Sequence, residues 1–555
     1  MKEATLDNLY DLKFLSELDY RFARFIGRIA GTNDAKLLLA ASLVSHYRGE
    51  GHICIDLADL EGQAVAFEES EPLHCPPLNA WLKALVSGPA LGSPGDYRPL
   101  VLDGTRLYLY RYWDYEKRLA HILKGLAGNP RMTLDESQLQ DSFARIFPPD
   151  GLNGNGTTSV DWRKVAAFAA LRSRLCVISG GPGTGKTFTV AKIMALLIEQ
   201  NQHETLRISL TAPTGKAAAR LQEAIKEAKA TLHCSESVKA AIPDEASTIH
   251  RLLGSTAYSP YFRFCDNNRL PADVVVIDEA SMVDMALFSK LAQALKTSAR
   301  LILLGDKDQL ASVEAGSVLG DICDRGNMHR FSASFTDSCI GATGEEITED
   351  GSVPALNDMS DCIVELKKSY RFRRNGGIQA VSQCVNSGEG RQALDLIKNV
   401  KDGDIQWREL PRPDELQHHL EAWMTERYAR YLKADNHQEA FEMFNQCRIL
   451  CALREGPCGV YNVNLLVEKI LKRKGLIDKG GSWYVGRPVM IARNDYNLRL
   501  FNGDIGITMV GQEKECRDNP PVVARIDERR GNPPVVARID ERRGNPPVVA
   551  RNRDG

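Results

Sequence analysis

At 555 residues the chain has room for three or four domains of roughly 150 residues each, and its 43% hydrophobic and 26% charged residues are ordinary for a soluble globular protein. A formal net charge of -2 excludes a protein-wide positive field, so any nucleic acid must be met by a local basic groove. The 13 cysteines are scattered; Cys447, Cys451 and Cys458 have no fourth ligand at zinc spacing, and free thiols in a reducing cytoplasm are expected.

The opening stretch, MKEATLDNLYDLKFLSELDYRFARF, is broken by charges, and nowhere does an apolar run reach about 18 residues, so neither a signal peptide nor a membrane segment is expected. Leu37 to Val44 reads as a buried helix and GHICIDLADLE, from Gly51, as a strand entering a helix. His46, His52 and Cys54 lack a further ligand at a telling spacing and read as ordinary core or surface positions. Residues 1–147 are therefore expected to form a mostly helical domain without a catalytic motif. PPDGLNGNGTTS, dense in turn formers, predicts a linker over 148–160, after which Asp161 caps a helix containing VAAFAAL.

The most informative stretch is LCVISGGPGTGKTFTVAKIMALLIEQ, from Leu175. Leu175, Val177 and Ile178 suit a buried strand, and Val190, Ile193, Met194, Leu197 and Ile198 recur at helical spacing. Between them Gly180, Gly181, Pro182, Gly183, Thr184, Gly185, Lys186 and Thr187 fit the phosphate-loop pattern G-x-x-x-x-G-K-[ST]. Glycines let main-chain N–H groups point at a triphosphate, and the helix start adds about half a positive charge. Lys186 can reach the β- and γ-phosphates, and the Thr187 hydroxyl suits a Mg²⁺ ligand.

Further along, Arg207 to Ala212 predicts a strand running into PTGKAAARL, where Pro213, Thr214, Gly215 and Lys216 offer a second anion site at a helix start. STIHRLL, from Ser247, predicts a capped helix bearing His250. DVVVIDEASM, from Asp273, reads as a buried parallel strand delivering Asp278 and Glu279 at its C-terminal end, the edge where α/β sheets bind ligands. There Asp278 can hold Mg²⁺ and Glu279 can polarise the attacking water. The strand Arg300 to Leu304 leads into GDKDQL, in which Gln309 can sense the γ-phosphate while Asp306 and Asp308 serve as turn acids. Asn327 to Met359, rich in Gly, Ser and Thr, reads as a mobile surface insertion.

A second α/β unit is expected from Val364. LKKSYRF offers Arg371 as an arginine able to meet transition-state charge. Arg448 to Leu453 and Pro488 to Ala492 are strand candidates, with a helix over Tyr461 to Lys474. RNDYNLRLFNGDIGI mixes Tyr496 and Phe501 with arginines, which suits single-stranded nucleic acid as well as a hairpin.

GGPGTGKT, TAPTGKAAARL, STIHRLLG, VVVIDEASM, LLGDKDQLASVEAGSVLGDIC, LKKSYRF, LCALREGP and GRPVMIARNDYNLRLFNGDIGI together resemble superfamily 1 DNA helicases, specifically the RecD (alpha) subunits of bacterial exodeoxyribonuclease V. The resemblance covers most of 162–507. It implies an α/β fold of two RecA-like P-loop lobes, parallel sheets flanked by helices, behind a mostly helical N-terminal domain that docks on partners. The expected division is 1–147, linker 148–160, lobe 1 over 161–330, insertion 331–363, lobe 2 over 364–512 and a tail over 513–555.

The resemblance further implies ATP- and Mg²⁺-dependent 5′-to-3′ movement on single-stranded DNA, in a cytoplasmic heterotrimer with RecB and RecC that serves double-strand-break repair. Lys186, Glu279, Gln309 and Arg371 would be catalytic, Thr187 and Asp278 would hold the metal, and Pro213 to Lys216 with His250 would line the DNA track.

Two departures stand out. Arg163, in DWRKVAA, occupies the place of the family's adenine-recognising glutamine. After Ile507 the family's Thr-x-His-Lys-Ser-Gln-Gly and Thr-Arg-Ala segments are missing, which predicts an incomplete second lobe. Instead NPPVVARIDERRG, from Asn519, repeats from Asn532 and begins again at Asn545, and its proline pairs predict a flexible tail. An alternative reading follows: a hydrolytically impaired ATP-binding chain acting as a structural partner. A small-molecule kinase would explain the phosphate loop but neither SYRF nor TAPTGKAAAR.

Overall fold

The computed structural model describes the chain apart from residues 1, 69–70, 87, 129–135, 149–159, 202–204, 257–258, 260, 310–311, 313, 324–327, 348–358, 371–375, 400–403, 435, 479–482, 492–504, 511–521, 527–536, 539–547 and 550–555. The chain forms two compact units, one of Met1–Pro213 with Ala224–Arg371 and one of Thr214–Glu223 with Phe372–Gly555.

In the first unit, the N-terminal core is built from helices Glu17–Ala30 and Ala35–Gly49 with two small sheets. Ser16 closes a capping box with Asp19, and every residue from Leu37 to Val44 is buried, as the unbroken apolar run requires. Cys54–Asp56 is a strand that enters a helix at Leu57. This core ends near Leu107, where the last short strand, Arg106–Leu109, gives way to α1 (Tyr110–Ala127).

The expected domain boundary at 147 is too late. Leu119, Leu123 and Leu126 of α1 belong to the next hydrophobic core, beside Leu175, Val177 and Val275. Next comes α2 (Glu136–Ile146), whose Arg145 pairs with Glu199. Most of the expected linker lies outside the described residues. Asp161 then caps α3 (Trp162–Arg172) by accepting from the Arg163 N–H.

The sheet-bearing core follows in chain order as β1 (Leu175–Gly180), α4 (Lys186–Gln200), β2 (Ile208–Ala212), α5 (Gly215–Thr231), β3 (Ala246–Thr248), α6 (Ile249–Leu253), β4 (Val274–Ile277), α7 (Met285–Ala294), β5 (Arg300–Gly305), α8 (Ala333–Thr343) and β6 (Ile363–Leu366). Six strands pair in the order β3-β2-β4-β5-β1-β6, parallel throughout. Strands β1 and β4 are buried along their whole length, which is why they read as continuous apolar runs. The α/β class with a parallel P-loop sheet and a helical N-terminal region therefore stands.

Two expectations inside this unit are corrected. The segment read as a mobile insertion contains α8, capped by Ser332, with Phe335 and Cys339 fully buried. Ile363–Leu366, expected to open the second lobe, instead pairs with β1 as the sixth strand of the first sheet. Its apolar sequence suited any buried parallel strand, and nothing local said which sheet it would join.

The second unit contains helices Gly377–Asn386, Gly390–Asn399, Leu416–Leu432, His437–Asn445 and Val460–Arg473, the last matching the helix expected over Tyr461 to Lys474. Pro488–Met490 is a strand, but it pairs antiparallel with Ile505–Val510. The expected strand over Arg448 to Leu453 is not in a sheet, and Leu450 and Leu453 are 93% and 69% exposed. Among the described residues this unit has only antiparallel pairing, continued through Val522–Ile526, Ala537–Arg538 and Val548–Val549. Parts of the repeat read as a flexible tail are thus strand.

Candidate nucleotide site

The site forms where β1, β4 and β5 end. Strand β1 turns at Gly180, whose Cβ, were there one, would lie 2.8 Å from Thr184 Oγ1 and 3.1 Å from the Leu366 carbonyl. Gly183 and Gly185 adopt left-handed φ of 77° and 83°, so the loop needs glycine at both. Gly185 is the N-cap of α4 and offers no side chain to the helix start, which leaves first-turn N–H groups available to an anion.

Lys186 donates from Nζ to the carbonyls of Gly180 (2.5 Å) and Gly181 (3.2 Å), so its ammonium lies over the loop itself. Thr184 Oγ1 donates to Gly181 O at 2.9 Å and stiffens the turn.

Across the sheet edge, β4 delivers Asp278, whose N–H donates to Thr211 O at 2.9 Å. Its carboxyl is pushed up to about 6, chiefly by burial and then by the Glu279 charge; the Glu279 N–H bond and Lys186 pull the other way. Lys186, in the loop after β1, and Asp278, directly after β4, follow the C-terminal ends of strands in one parallel sheet. Glu279 follows at φ 52°, a left-handed conformation uncommon outside glycine and typical of strained functional turns. The close approach behind it demands another glycine, because a Cβ on Gly305 would sit 3.2 Å from the Ser281 amide nitrogen.

The loop after β5 comes alongside. Asp306 is buried and accepts from the Asp308 N–H (3.1 Å) and from Gln309 Nε2 (3.1 Å), a turn acid as expected. Lys307 ties the loop to its neighbours, with its N–H on Ser179 Oγ at 3.4 Å and its ammonium 3.1 Å from Glu365.

The sheet thus brings Lys186, Thr187, Asp278, Glu279 and Gln309 to one edge. On the far half of that edge, β2 ends at Ala212 before Pro213 and pairs there with Thr248, two residues before His250, which is exposed. Thr214 caps the helix carrying Gly215 and Lys216 by accepting from the Ala217 N–H at 3.2 Å. Arg371, Tyr496 and Phe501 lie outside the described residues.

Three contributors were not singled out from sequence. Ser369 Oγ donates to Pro182 O at 3.1 Å and the Tyr370 N–H to Gly183 O at 2.8 Å, so these two residues hold the phosphate loop from outside. Ser179 anchors the β5 loop. The first two lay inside a segment read for its arginines, and a main-chain contact leaves no trace in residue type.

The donor set fits a magnesium ion. Asp278 is a half-buried carboxylate with a raised affinity for protons, and charge on it would be stabilised by a cation close by, with the Thr187 hydroxyl as a further oxygen ligand. Among the described residues no group of three or more His, Cys, Asp and Glu is arranged to hold a metal.

Two family models match the chain: the N-terminal domain of RecBCD enzyme subunit RecD, over residues 11–108, and an AAA domain, over 163–315. A RecBCD enzyme subunit RecD from Haemophilus influenzae is 33% identical over 91% of this chain and 84% of its own. The chain belongs to the RecD family. A second RecD, from Mycolicibacterium smegmatis, is 35% identical over 90% of this chain and 80% of its own. Among solved structures, a Bacteroides Pif1 helicase in complex with ADP-AlF3 and single-stranded DNA aligns over 71% of this chain and 79% of its own, at 18% identity and a TM-score of 0.32. The RecD N-terminal match stops at 108, where the N-terminal core of the fold also ends. Among the described residues no helix is long and apolar enough to cross a membrane.

Proposed function

We propose that this RecD-family chain is an ATP-hydrolysing DNA helicase subunit that moves 5′ to 3′ on single-stranded DNA, assembled with RecB and RecC in the cytoplasm for double-strand-break repair. The observation that carries the reading is that the loop bearing Lys186 and the turn bearing Asp278 and Glu279 both follow the C-terminal ends of strands in one parallel sheet. Loop amides from Gly181 to Thr187 hold the phosphates, and Lys186 leaves its carbonyl contacts to neutralise them. Thr187 and Asp278 would hold Mg²⁺, which when bound supplies charge neutralisation to the phosphate oxygens. Glu279 orients water for attack, and Gln309, swinging from Asp306, senses the γ-phosphate. Pro213 to Lys216 and His250 contact DNA, with Tyr496 and Phe501 stacking on bases and Arg371 meeting transition-state charge.

Lys186→Ala should lower ATP turnover stimulated by single-stranded DNA on the order of a hundredfold or more. Robust turnover indifferent to DNA at low salt would remove the translocase reading. Unwinding of tails of opposite polarity by the assembled trimer tests direction.

A second reading, a hydrolytically impaired chain serving as a structural partner, is favoured by the exposed Leu450 and Leu453 in a segment expected to be core strand. Recovery of the trimer with RecB and RecC, without turnover at this subunit's site, would select it.

A further inference from the structure

We propose that Lys307 and Glu365 are positioning residues for the hydrolytic step: their ion pair crosses the end of β1 and sets the loop carrying Gln309 against the phosphate loop, without either side chain touching the nucleotide. The proposal rests on the ATP-hydrolysis reading above and adds what holds its γ-phosphate sensor in place.

The sheet register makes the crossing. Gly305, the last residue of β5, and Glu365 of β6 are both partners of Ser179, so the three stand in one row with β1 in the middle. The phosphate loop begins at the next residue, Gly180. Two strand spacings of about 4.8 Å separate β5 from β6, a span that suits a side chain as long as lysine. Lys307, two residues beyond β5, bridges it: its N–H donates to Ser179 Oγ at 3.4 Å, and its ammonium lies 3.1 Å from Glu365 and 3.0 Å from Asp308.

Both members of the cross-strand pair are largely shielded, with 17% of the Lys307 side chain and 26% of the Glu365 side chain exposed. An ion pair on open surface adds little, whereas removing one member of a shielded pair strands the charge of the other. Burial works against the Lys307 ammonium, but Asp308 and Glu365 outweigh it and raise its proton affinity.

Each end of the pair is anchored to a part of the nucleotide site. The Glu365 N–H donates to His329 Nε2 at 3.1 Å, and four residues on, Ser369 and Tyr370 donate to the Pro182 and Gly183 carbonyls. At the other end Gln309, two residues after Lys307, donates to Asp306 Oδ2 at 3.1 Å. That bond lies within the turn, and Lys307 is what ties the turn to β1 and β6. The geometry matters because displacing a catalytic group by about 1 Å can cost about a hundredfold in rate. Asp308 moves with the turn and cannot fix it, so the contact that does the positioning is the one to Glu365.

The test is ATP turnover stimulated by single-stranded DNA, with equilibrium binding of fluorescent N-methylanthraniloyl ATP, for the full-length chain and its Lys307→Met, Lys307→Arg, Glu365→Ala and Gln309→Ala forms, and for Glu365→Ala combined with Gln309→Ala. Lys307→Met and Glu365→Ala should each lower kcat about tenfold while the analogue's Kd stays within about twofold, and Lys307→Arg, which keeps charge and reach, should retain most of the rate. Glu365→Ala should cost nothing further once Gln309 is Ala, because both changes remove the same alignment. A folded Glu365→Ala form with the natural kcat overturns the proposal, and so do losses that multiply in the combined form. A Kd weakened as much as turnover falls also overturns it, since Lys307 would then grip the nucleotide itself. A Gln309→Ala form as active as the natural chain leaves the pair nothing to position and overturns it too. Absence of turnover in the natural chain is instead the failure of the hydrolysis reading, which takes the proposal with it and is told apart because every form is then inactive.

Discussion

His329 shows how much a single side chain can hold together. It adopts a φ of 62°, stacks on Trp162 with ring centres 3.7 Å apart, and accepts the Glu365 N–H of β6 on Nε2 at 3.1 Å. Burial, reinforced by the Lys367 ammonium, holds the imidazole down to about 4, so it is neutral in the folded chain. In the unfolded chain it protonates near 6.5, and between those two values the unfolded state binds more protons. Its contribution is therefore complete above about pH 6.5 and lost as pH falls toward 4, about 2 kcal/mol once its partial exposure is discounted. His329→Asn tolerates the left-handed backbone and does not titrate in this range, so urea midpoints measured from pH 7 to 4 should fall less steeply in the variant than in the natural chain. Identical slopes would show that another group governs acid sensitivity.

At the scale of elements, α8 decides whether composition or pattern was the better guide. Small polar residues made its segment look mobile, yet Ser332 caps it through the Phe335 N–H, and Phe335, Cys339 and Ala342 recur at helical spacing and are buried. Phe335 stacks on Phe331 at 4.6 Å and meets Phe168 of α3 edge-on at 5.2 Å. Phe335→Ala should therefore destabilise the first unit by about 3 to 4 kcal/mol, read from denaturant melts, whereas a mobile loop would lose nothing. The phosphate loop and the Asp278–Glu279 turn were legible because their chemistry needs particular side chains at fixed spacing. Strand β6 was legible as a strand but not as a member of the first sheet, since parallel pairing is decided by residues nearly two hundred positions away. The Arg448 to Leu453 segment carried strand-like residues and found no ladder, because propensity alone does not supply a partner.

At the scale of the whole molecule, the first unit contains two hydrophobic cores joined by polar contacts. Arg48 reaches Glu314 at 3.3 Å, and the Gly316 N–H donates to Gly51 O at 3.0 Å. The first core closes by Leu107, while α1 belongs to the second, so a cut between them should fall before Tyr110 and not after Phe147. A fragment of residues 110–371 keeps Leu119, Leu123 and Leu126 against the sheet. A fragment starting at Pro148 strips all three, and at about 2 kcal/mol for each buried leucine the loss of about 6 kcal/mol is comparable with the entire stability of an ordinary domain. The longer fragment should melt cooperatively and bind a fluorescent N-methylanthraniloyl analogue of ATP, and the shorter should aggregate or melt without a transition. Equal cooperativity in the two would mean that α1 merely rests on the sheet. The N-terminal core would then extend past the end of its family match at residue 108, and the partner-docking piece would be the whole of 1–147.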